Sequence, residues 1–177
     1  ICDVTRAQPR VPILESILLN LPDIKYQDIT ILIATGTHRS CTDDEIIEML
    51  GKRIASKYKI LNHNSRDQSS LYFLGKTSKN IDVFLNKDWV DADLKITTGF
   101  VEPHFFAGFS GGPKMVAPGL AGIETIMELH NFDRISDENS TWGITQDNPI
   151  HDDIREIANM SLPNFSIDVT LNNKKEI

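Results

Sequence analysis

An uninterrupted apolar run at residues 29–34, rich in β-branched side chains, narrows the folds open to this chain. Such a run suits a strand that is buried on both faces of a parallel sheet, because a half-exposed antiparallel strand alternates apolar and polar residues. The run ends at Gly36, and a capping box of Thr42 and Glu45 then opens an apolar-striped helix that is predicted to end near Lys57. A buried strand followed by a helix is the basic unit of an α/β fold.

The remaining patterns extend this alternation of strands and helices along the chain. Periodicity and turn residues predict helices at 12–21 and 123–131, a helix that starts at Asn148-Pro149, strands at 58–61, 94–97 and 165–171, and a hairpin of 71–74 with 81–85 around a turn at Gly75. The sequence therefore predicts one α/β domain over residues 1–177, with a mainly parallel sheet flanked by helices in a Rossmann-like three-layer arrangement and a hairpin insertion.

Composition excludes several classes of protein. The 177 residues carry 18 basic and 25 acidic groups, a net charge of −7, so a broad electropositive surface for nucleic acid is not expected. No apolar run approaches the roughly 20 residues of a membrane span. Cys2 and Cys41 are too few for a disulfide framework, which predicts a reducing, cytoplasmic environment.

Both ends of the chain resemble interrupted strands. Residues 1–4 have the pattern of the end of a strand, and residues 165–171 that of a strand that enters a hairpin whose second arm is missing. We therefore expect the chain to be part of a longer polypeptide, and the site to be only partly present.

Two loops follow predicted strands, at residues 34–39 and 99–114. Ligands of open α/β sheets bind beyond the carboxyl ends of strands, so both loops are expected at a site. In the second loop Gly108, Gly111 and Gly112 favour an anion-binding nest, to which Ser110 adds a hydroxyl and Lys114 an amine. The spacing is not that of a Walker A loop, so the pattern predicts a phosphate-bearing ligand; the alternative is a plain glycine-rich turn with an exposed lysine.

Three of the five histidines are candidates for chemistry. His38 and His104 lie in the two strand-end loops, and His130 lies on the helix after the second loop. Imidazole transfers protons near neutral pH and is also a ligand for Zn, Cu, Fe or Ni. His63 is interpreted as loop surface and His151 as surface of a first helical turn.

Asp3 and Arg6 follow the end of the first predicted strand. The planar guanidinium of Arg6 suits a carboxylate or a phosphate. The alternative is an ion pair between these two side chains on the surface.

Taken together, these motifs resemble the lactate racemase family, whose enzymes use a nickel-pincer nucleotide. The resemblance extends from Asp3 to His130 and is most specific around His104 and Lys114. The residues that carry it are Asp3-x-x-Arg6, Gly36-Thr37-His38-Arg39, Pro103-His104-x-x-Ala107-Gly108-x-Ser110-Gly111-Gly112-x-Lys114, Pro118-Gly119 and His130.

The resemblance implies a cofactor, a nickel-bearing pyridinium mononucleotide with two sulfur-containing arms. One arm would be joined to Lys114 through a thioamide, and His130 would be the protein ligand of square-planar nickel. The cofactor phosphate would contact the amides of Ser110, Gly111 and Gly112. Arg6 would bind an anion of the cofactor or substrate, with Asp3 holding Arg6 in place.

The reaction implied is racemisation or epimerisation at C2 of a lactate-like 2-hydroxy acid. Hydride would leave C2 for the cofactor and return to the opposite face, while His38 and His104 exchange the hydroxyl proton, each as base in one direction and acid in the other. The family also has a C-terminal domain that closes over the cofactor, and cofactor-loading partner proteins. We therefore expect weak or no turnover from residues 1–177 alone.

Two alternatives remain open at this point. The first is a zinc or iron hydrolase with His38, His104 and His130 as ligands and a metal-bound water. The second is a non-catalytic module that binds a phosphate-bearing small molecule, such as a nucleotide, through residues 108–114.

Overall fold

The computed structural model describes residues 1–172. The helices are α1 (Arg10–Leu19), α2 (Asp43–Lys57), α3 (Lys87–Val90), α4 (Ile123–Leu129), α5 (Phe132–Ile135) and α6 (Pro149–Met160). The strands are β1 (Thr30–Ile33), β2 (Lys59–Asn62), β3 (Leu71–Lys76), β4 (Asp82–Asn86), β5 (Ile96–Phe100), β6 (Pro103–His104), β7 (Gly108–Phe109) and β8 (Phe165–Val169). Short 3-10 helices occur at Tyr26–Asp28, Gln68–Ser70 and Gly112–Met115.

Parallel strand pairs and an antiparallel hairpin make up the hydrogen-bonded ladders. β1 pairs in parallel with β2, from Thr30↔Lys59 onward, and β5 pairs in parallel with β8, from Ile96↔Phe165 onward. β3 and β4 form the hairpin, and β6 with β7 is a two-residue antiparallel pair. The predicted α/β class, with parallel strands, helices and an inserted hairpin, is confirmed.

A groove of about 490 Å³, lined by residues of both strands, lies between β1 and β5. The strand predicted at residues 1–4 is reduced to one parallel bridge, Cys2↔Ala34. The predicted strand at 165–171 is β8, and the hairpin arm predicted after it would lie outside the described residues.

Local sequence signals explain where two helices begin. At the start of α2 the Thr42 hydroxyl accepts a hydrogen bond from the Glu45 amide, and the Glu45 carboxylate accepts one from the Thr42 amide. At the start of α6 the Asn148 side chain accepts hydrogen bonds from two backbone amides, those of Ile150 and His151. Both capping predictions are confirmed, since each side chain satisfies amides that the helix leaves without partners.

The hairpin turn differs from its prediction. Gly75 lies inside β3 at a register shift, where it forms a bulge, and the chain reverses at residues 77–80 instead. Asn80 adopts a left-handed conformation there, with φ of 62°. A single glycine in a strand-like run fits a bulge as well as a turn, so the local pattern did not distinguish the two.

The main core anchors the segment that follows Lys114. Val116, Ala117 and Ala121 are fully buried and pack with β4, α4 and α6. A smaller core joins α1, β1 and α2 around Ile33 and Leu50. After the second loop the chain therefore enters the core. Lys114 lies directly before this well-packed segment and is held in place by it.

One observation concerns membranes. Within residues 1–172, no helix combines the length and the apolar character of a segment that crosses a bilayer.

Candidate active site

The two strand-end loops face a single cavity of about 270 Å³. The predicted site residues that line it are Asp3, Arg6, His38, His104, Ser110, Gly111, Lys114 and His130. Gly108 and Gly112, which were predicted for the anion-binding nest, are not among the lining residues. Residues that are up to 127 positions apart in sequence thus meet beyond the carboxyl ends of β1 and β5, where the sequence analysis expected a site.

Backbone contacts between glycines bring the loops together. The Gly36 amide, at φ of +55°, donates to the Gly119 carbonyl at 3.0 Å. A Cβ at Gly119 would lie 2.5 Å from the Met115 carbonyl oxygen of its own turn and 3.0 Å from Cβ of Ala34 in the first loop. Only glycine fits such a close approach of main chains, so the segment that carries Lys114 is fixed against the first loop.

His38 is held by a buried carboxylate. Its Nδ1 lies 2.6 Å from Oδ2 of Asp3, a residue that is 4% exposed. The other carboxylate oxygen of Asp3 accepts hydrogen bonds from the amide and hydroxyl of Thr5. Because a carboxylate only accepts hydrogen bonds, Nδ1 of His38 carries the proton, and Nε2 of the neutral ring is left with a lone pair.

His104 is held in the opposite way. Its Nδ1 accepts hydrogen bonds from the amides of Ala107 at 3.3 Å and Phe106 at 3.5 Å, so the neutral ring carries its proton on Nε2. Burial, together with the positive charges of Lys114 and Arg6, lowers the pKa of His104 to about 4. The imidazole is therefore neutral at pH 7 in this site.

Lys114 is a partly buried amine. Burial and the nearby Arg6 cation lower its pKa to about 7, while Glu102 acts in the opposite direction. The amine therefore loses its proton more readily than an exposed lysine, and an unprotonated amine is the nucleophilic form of lysine. This environment differs from the exposed lysine of the alternative interpretation.

His130 caps the C-terminal end of α4. Its Nδ1–H donates to the Ile126 carbonyl at 2.7 Å, so Nε2 is free to bind a ligand. The edge of the ring packs against Phe106, with 5.2 Å between ring centroids, and burial lowers the pKa. A neutral imidazole whose other nitrogen donates to a backbone carbonyl is the usual arrangement of a metal-binding histidine.

The predicted side-chain contact between Asp3 and Arg6 is wrong, although the Arg6 amide donates to the Asp3 carbonyl at 3.3 Å. Nη1 of Arg6 donates to Oε1 of Glu102 at 2.7 Å, whereas the carboxylate of Asp3 contacts His38 and Thr5. The Arg6 side chain thus pairs with a distant residue, and the Asp3 carboxylate is committed to other groups. The Asp3 side chain therefore does not hold that of Arg6, and the two do not form a surface ion pair.

The expected contact of the cofactor phosphate with the amides of Ser110, Gly111 and Gly112 is also corrected. The Ser110 amide donates to the Glu102 carbonyl at 2.9 Å, and the Gly112 amide donates to Oδ1 of Asp168 at 2.7 Å. These amides fasten the glycine-rich loop to the protein. In the described part of the chain only the Gly111 amide of the three has no acceptor.

Two further histidines differ from their interpretation as surface residues. His63 is 1% exposed; its Nε2 lies 2.8 Å from the Ala121 carbonyl oxygen and its Nδ1 lies 3.2 Å from the Asn86 amide nitrogen. Burial lowers its pKa. His151 does lie in the first turn of α6, but it is half-buried, with Nδ1 3.2 Å from the Ala107 carbonyl oxygen.

Sequence reasoning missed three residues that organise the site. Thr5 closes a turn on Asp3, and an Asp followed two residues later by Thr is a signal for such a turn. Arg10 is buried and donates to the carbonyls of Cys2, Asp3 and Arg6, which fixes the loop before α1. Glu102 pairs with Arg6 across the chain, and no local pattern marks that contact.

Metal binding by protein side chains alone is not supported. Among residues 1–172, no three His, Cys, Asp or Glu side chains cluster closely enough to hold a metal ion. The three-histidine zinc or iron site is therefore not formed.

The fold and the site together define an α/β domain that gathers imidazoles and a partly deprotonated amine around one small-molecule cavity at the carboxyl ends of its strands. The chain belongs to the lactate racemase family: the model of the lactate racemase N-terminal domain matches residues 1–143.

Relatives and solved structures agree with this assignment. The chain is 40% identical over 149 residues to a lactate racemase of Lactiplantibacillus plantarum, which covers 84% of this chain and 35% of that protein. It is 34% identical over 153 residues to a lactate racemase of Thermoanaerobacterium thermosaccharolyticum, covering 86% and 36%. The chain thus spans about a third of the length of these curated relatives.

The lactate racemase apoprotein structure from Thermoanaerobacterium thermosaccharolyticum superposes with a TM-score of 0.95 at 33% identity, covering 99% of this chain and 42% of that one. A Thermotoga maritima protein structure superposes with a TM-score of 0.79 at 22% identity, covering 99% and 46%, and shares the fold.

Proposed function

We propose that this chain is the N-terminal, cofactor-holding part of a larger racemase or epimerase that acts at C2 of a 2-hydroxy acid, with lactate as the first candidate. Family membership supports an isomerase of this kind. The one-third coverage of the curated relatives supports a longer protein, in which a C-terminal domain would complete the site.

The observation that carries the proposal is the pair of complementary histidines at one cavity. The neutral form of His38 has a lone pair on Nε2, and the neutral form of His104 has a proton on Nε2. One ring is thus prepared to accept a proton and the other to donate a hydrogen bond. Racemisation of a hydroxy acid needs proton carriers for hydroxyl groups that point to opposite sides in the two enantiomers.

The residues present fit the nickel-pincer nucleotide that the family resemblance implies. His130 offers Nε2 as a metal ligand because Nδ1–H is committed to Ile126. Lys114 offers a partly neutral amine for the thioamide link. When bound, this cofactor would supply hydride acceptance and return at C2, the step that protein side chains do not provide.

Anionic groups of the cofactor and substrate have two candidate partners. Arg6 lines the cavity with a guanidinium that suits a carboxylate or a phosphate. The Gly111 amide is the second candidate, while Ser110 and Gly112 keep the loop in place around it. In this proposal Asp3 orients His38 rather than Arg6.

Mass and metal analysis of the protein purified from its native host tests the proposal. We expect an adduct on Lys114 and one nickel per chain, and we expect the Lys114→Met variant to lose the adduct. An unmodified Lys114 in protein that interconverts D- and L-lactate would contradict the covalent link. Zinc in place of nickel would contradict the cofactor.

A further inference from the structure

We infer that Glu102 is the resident counter-ion of an anion site centred on Arg6, and that it competes with the carboxylate or phosphate of a ligand for the Arg6 guanidinium. This inference rests on the proposed function only in taking Arg6 as an anion-binding group. It assigns Glu102 a positioning role that sets how tightly the site holds anions.

The geometry of the ion pair supports this role. Nη1 of Arg6 lies 2.7 Å from Oε1 of Glu102, and both side chains are more than one-third exposed. The contact is made through one nitrogen, although a guanidinium has five N–H donors and binds carboxylates best through two. Arg6 lines the cavity and Glu102 does not, so the pair stands at the rim. An incoming anion can replace Glu102 there without opening the core.

Glu102 is fixed in this position before any ligand binds. Its amide donates to the Ser110 hydroxyl at 3.0 Å, and its carbonyl accepts the Ser110 amide at 2.9 Å. The Ser110 hydroxyl also donates to the Phe100 carbonyl at 2.6 Å, which ties this turn to the end of β5. These hydrogen bonds fix the main chain of Glu102, so its carboxylate stays within reach of Arg6.

The charges around the cavity make Glu102 the effective balancing anion. Arg6 and Lys114 are the cations at the cavity, and the pKa of Lys114 responds to both Arg6 and Glu102. Asp3, the other acid at the site, is buried and committed to His38 and Thr5. Removal of the negative charge of Glu102 therefore leaves two cations with less compensation, which strengthens attraction for an added anion.

The test is the affinity of the Glu102→Gln variant for anions. Calorimetry measures this affinity with inorganic phosphate and, in a separate titration, with acetate. We expect the variant to bind anions about three- to fivefold more tightly than the parent chain, a factor typical of a partly exposed ion pair. A larger gain in affinity for phosphate would indicate a phosphate-binding site, and a larger gain for acetate a carboxylate-binding site. Glu102→Asp keeps the charge and should restore the parent affinity.

A matched control comes from the Arg53–Glu15 pair, which lies outside the cavity and is also an exposed Arg–Glu contact. Glu15→Gln should leave both affinities unchanged. Adding Arg6→Gln to Glu102→Gln should abolish the gain. Equal anion affinity in the parent and in Glu102→Gln would overturn the inference, and the adduct and nickel result would be unaffected. A gain in affinity that also appears in Glu15→Gln, or that persists without Arg6, would overturn the inference too.

Discussion

The loop after β1 and the loop after β5 each present a histidine to the same cavity, but they hold it by opposite means. The first loop leaves His38 half-exposed and binds its Nδ1 to the carboxylate of Asp3. The second buries more of His104 and binds its Nδ1 to backbone amides, beside the cations of Lys114 and Arg6. One residue type thus acquires two protonation patterns, which shows that the partner of Nδ1, and not the histidine itself, determines what Nε2 offers to a ligand.

The strongest test of this comparison removes each ring in turn. In the longer, cofactor-loaded protein that we propose, His38→Gln or His104→Gln should lower lactate racemisation by about 10²- to 10⁴-fold, because each variant would lose a proton carrier. Conversion of D- to L-lactate measures the effect. His151→Gln, outside the cavity lining, is the control. Full activity in both variants would show that neither imidazole is the proton carrier.

A smaller effect is expected when the group behind His38 is changed. Asp3→Asn removes the charge that holds the proton on Nδ1, and turnover should fall by about 10- to 100-fold, as for other residues that orient an active ring. The ¹⁵N shifts of His38 should reveal a change of tautomer, which general destabilisation would not produce. Asp152→Asn, an exposed acid in the first turn of α6, serves as control. Unchanged His38 shifts would show that Asp3 does not select the tautomer.

The smallest effect concerns stability in acid. The pKa of His104 is lowered from 6.5 to about 4, so between these values the unfolded chain binds a proton that the folded chain does not. The free energy of unfolding should therefore fall as the pH decreases from 6.5 to 4, by about 1 kcal/mol for this partly exposed ring. Urea unfolding across this range measures the slope. His104→Gln should flatten it relative to the parent, and an equal slope in both would contradict the lowered pKa.

Local signals predicted the parts of the fold that depend on neighbouring residues. The capping box at Thr42 and the Asn148 cap involve groups within three residues, and the structure confirms both helix starts. The apolar run at 29–34 predicted β1, although only Ile31 and Ile33 are buried, while Leu32 is partly buried and Thr30 is exposed. The position of the two loops after strands and the family resemblance likewise predicted that His38, His104, Lys114 and His130 share one site, and all four line the cavity.

The contacts that sequence reasoning missed join distant parts of the chain. His63 stands in a polar segment and was interpreted as exposed, yet Asn86 and the loop at Ala121 cover it. Arg6 lies three residues from Asp3 but pairs with Glu102, 96 positions away. Proximity in sequence favours a local ion pair, and only the packing of the two loops shows that each charge has a different partner.

The single main-chain hydrogen bond from Gly36 to Gly119 has a consequence for how this site can vary. Neither atom of that bond belongs to a side chain, so the contact between the first loop and the segment that follows Lys114 does not depend on which side chains surround the cavity. The side chains of the cavity wall can thus be exchanged while the first loop stays in place against that segment.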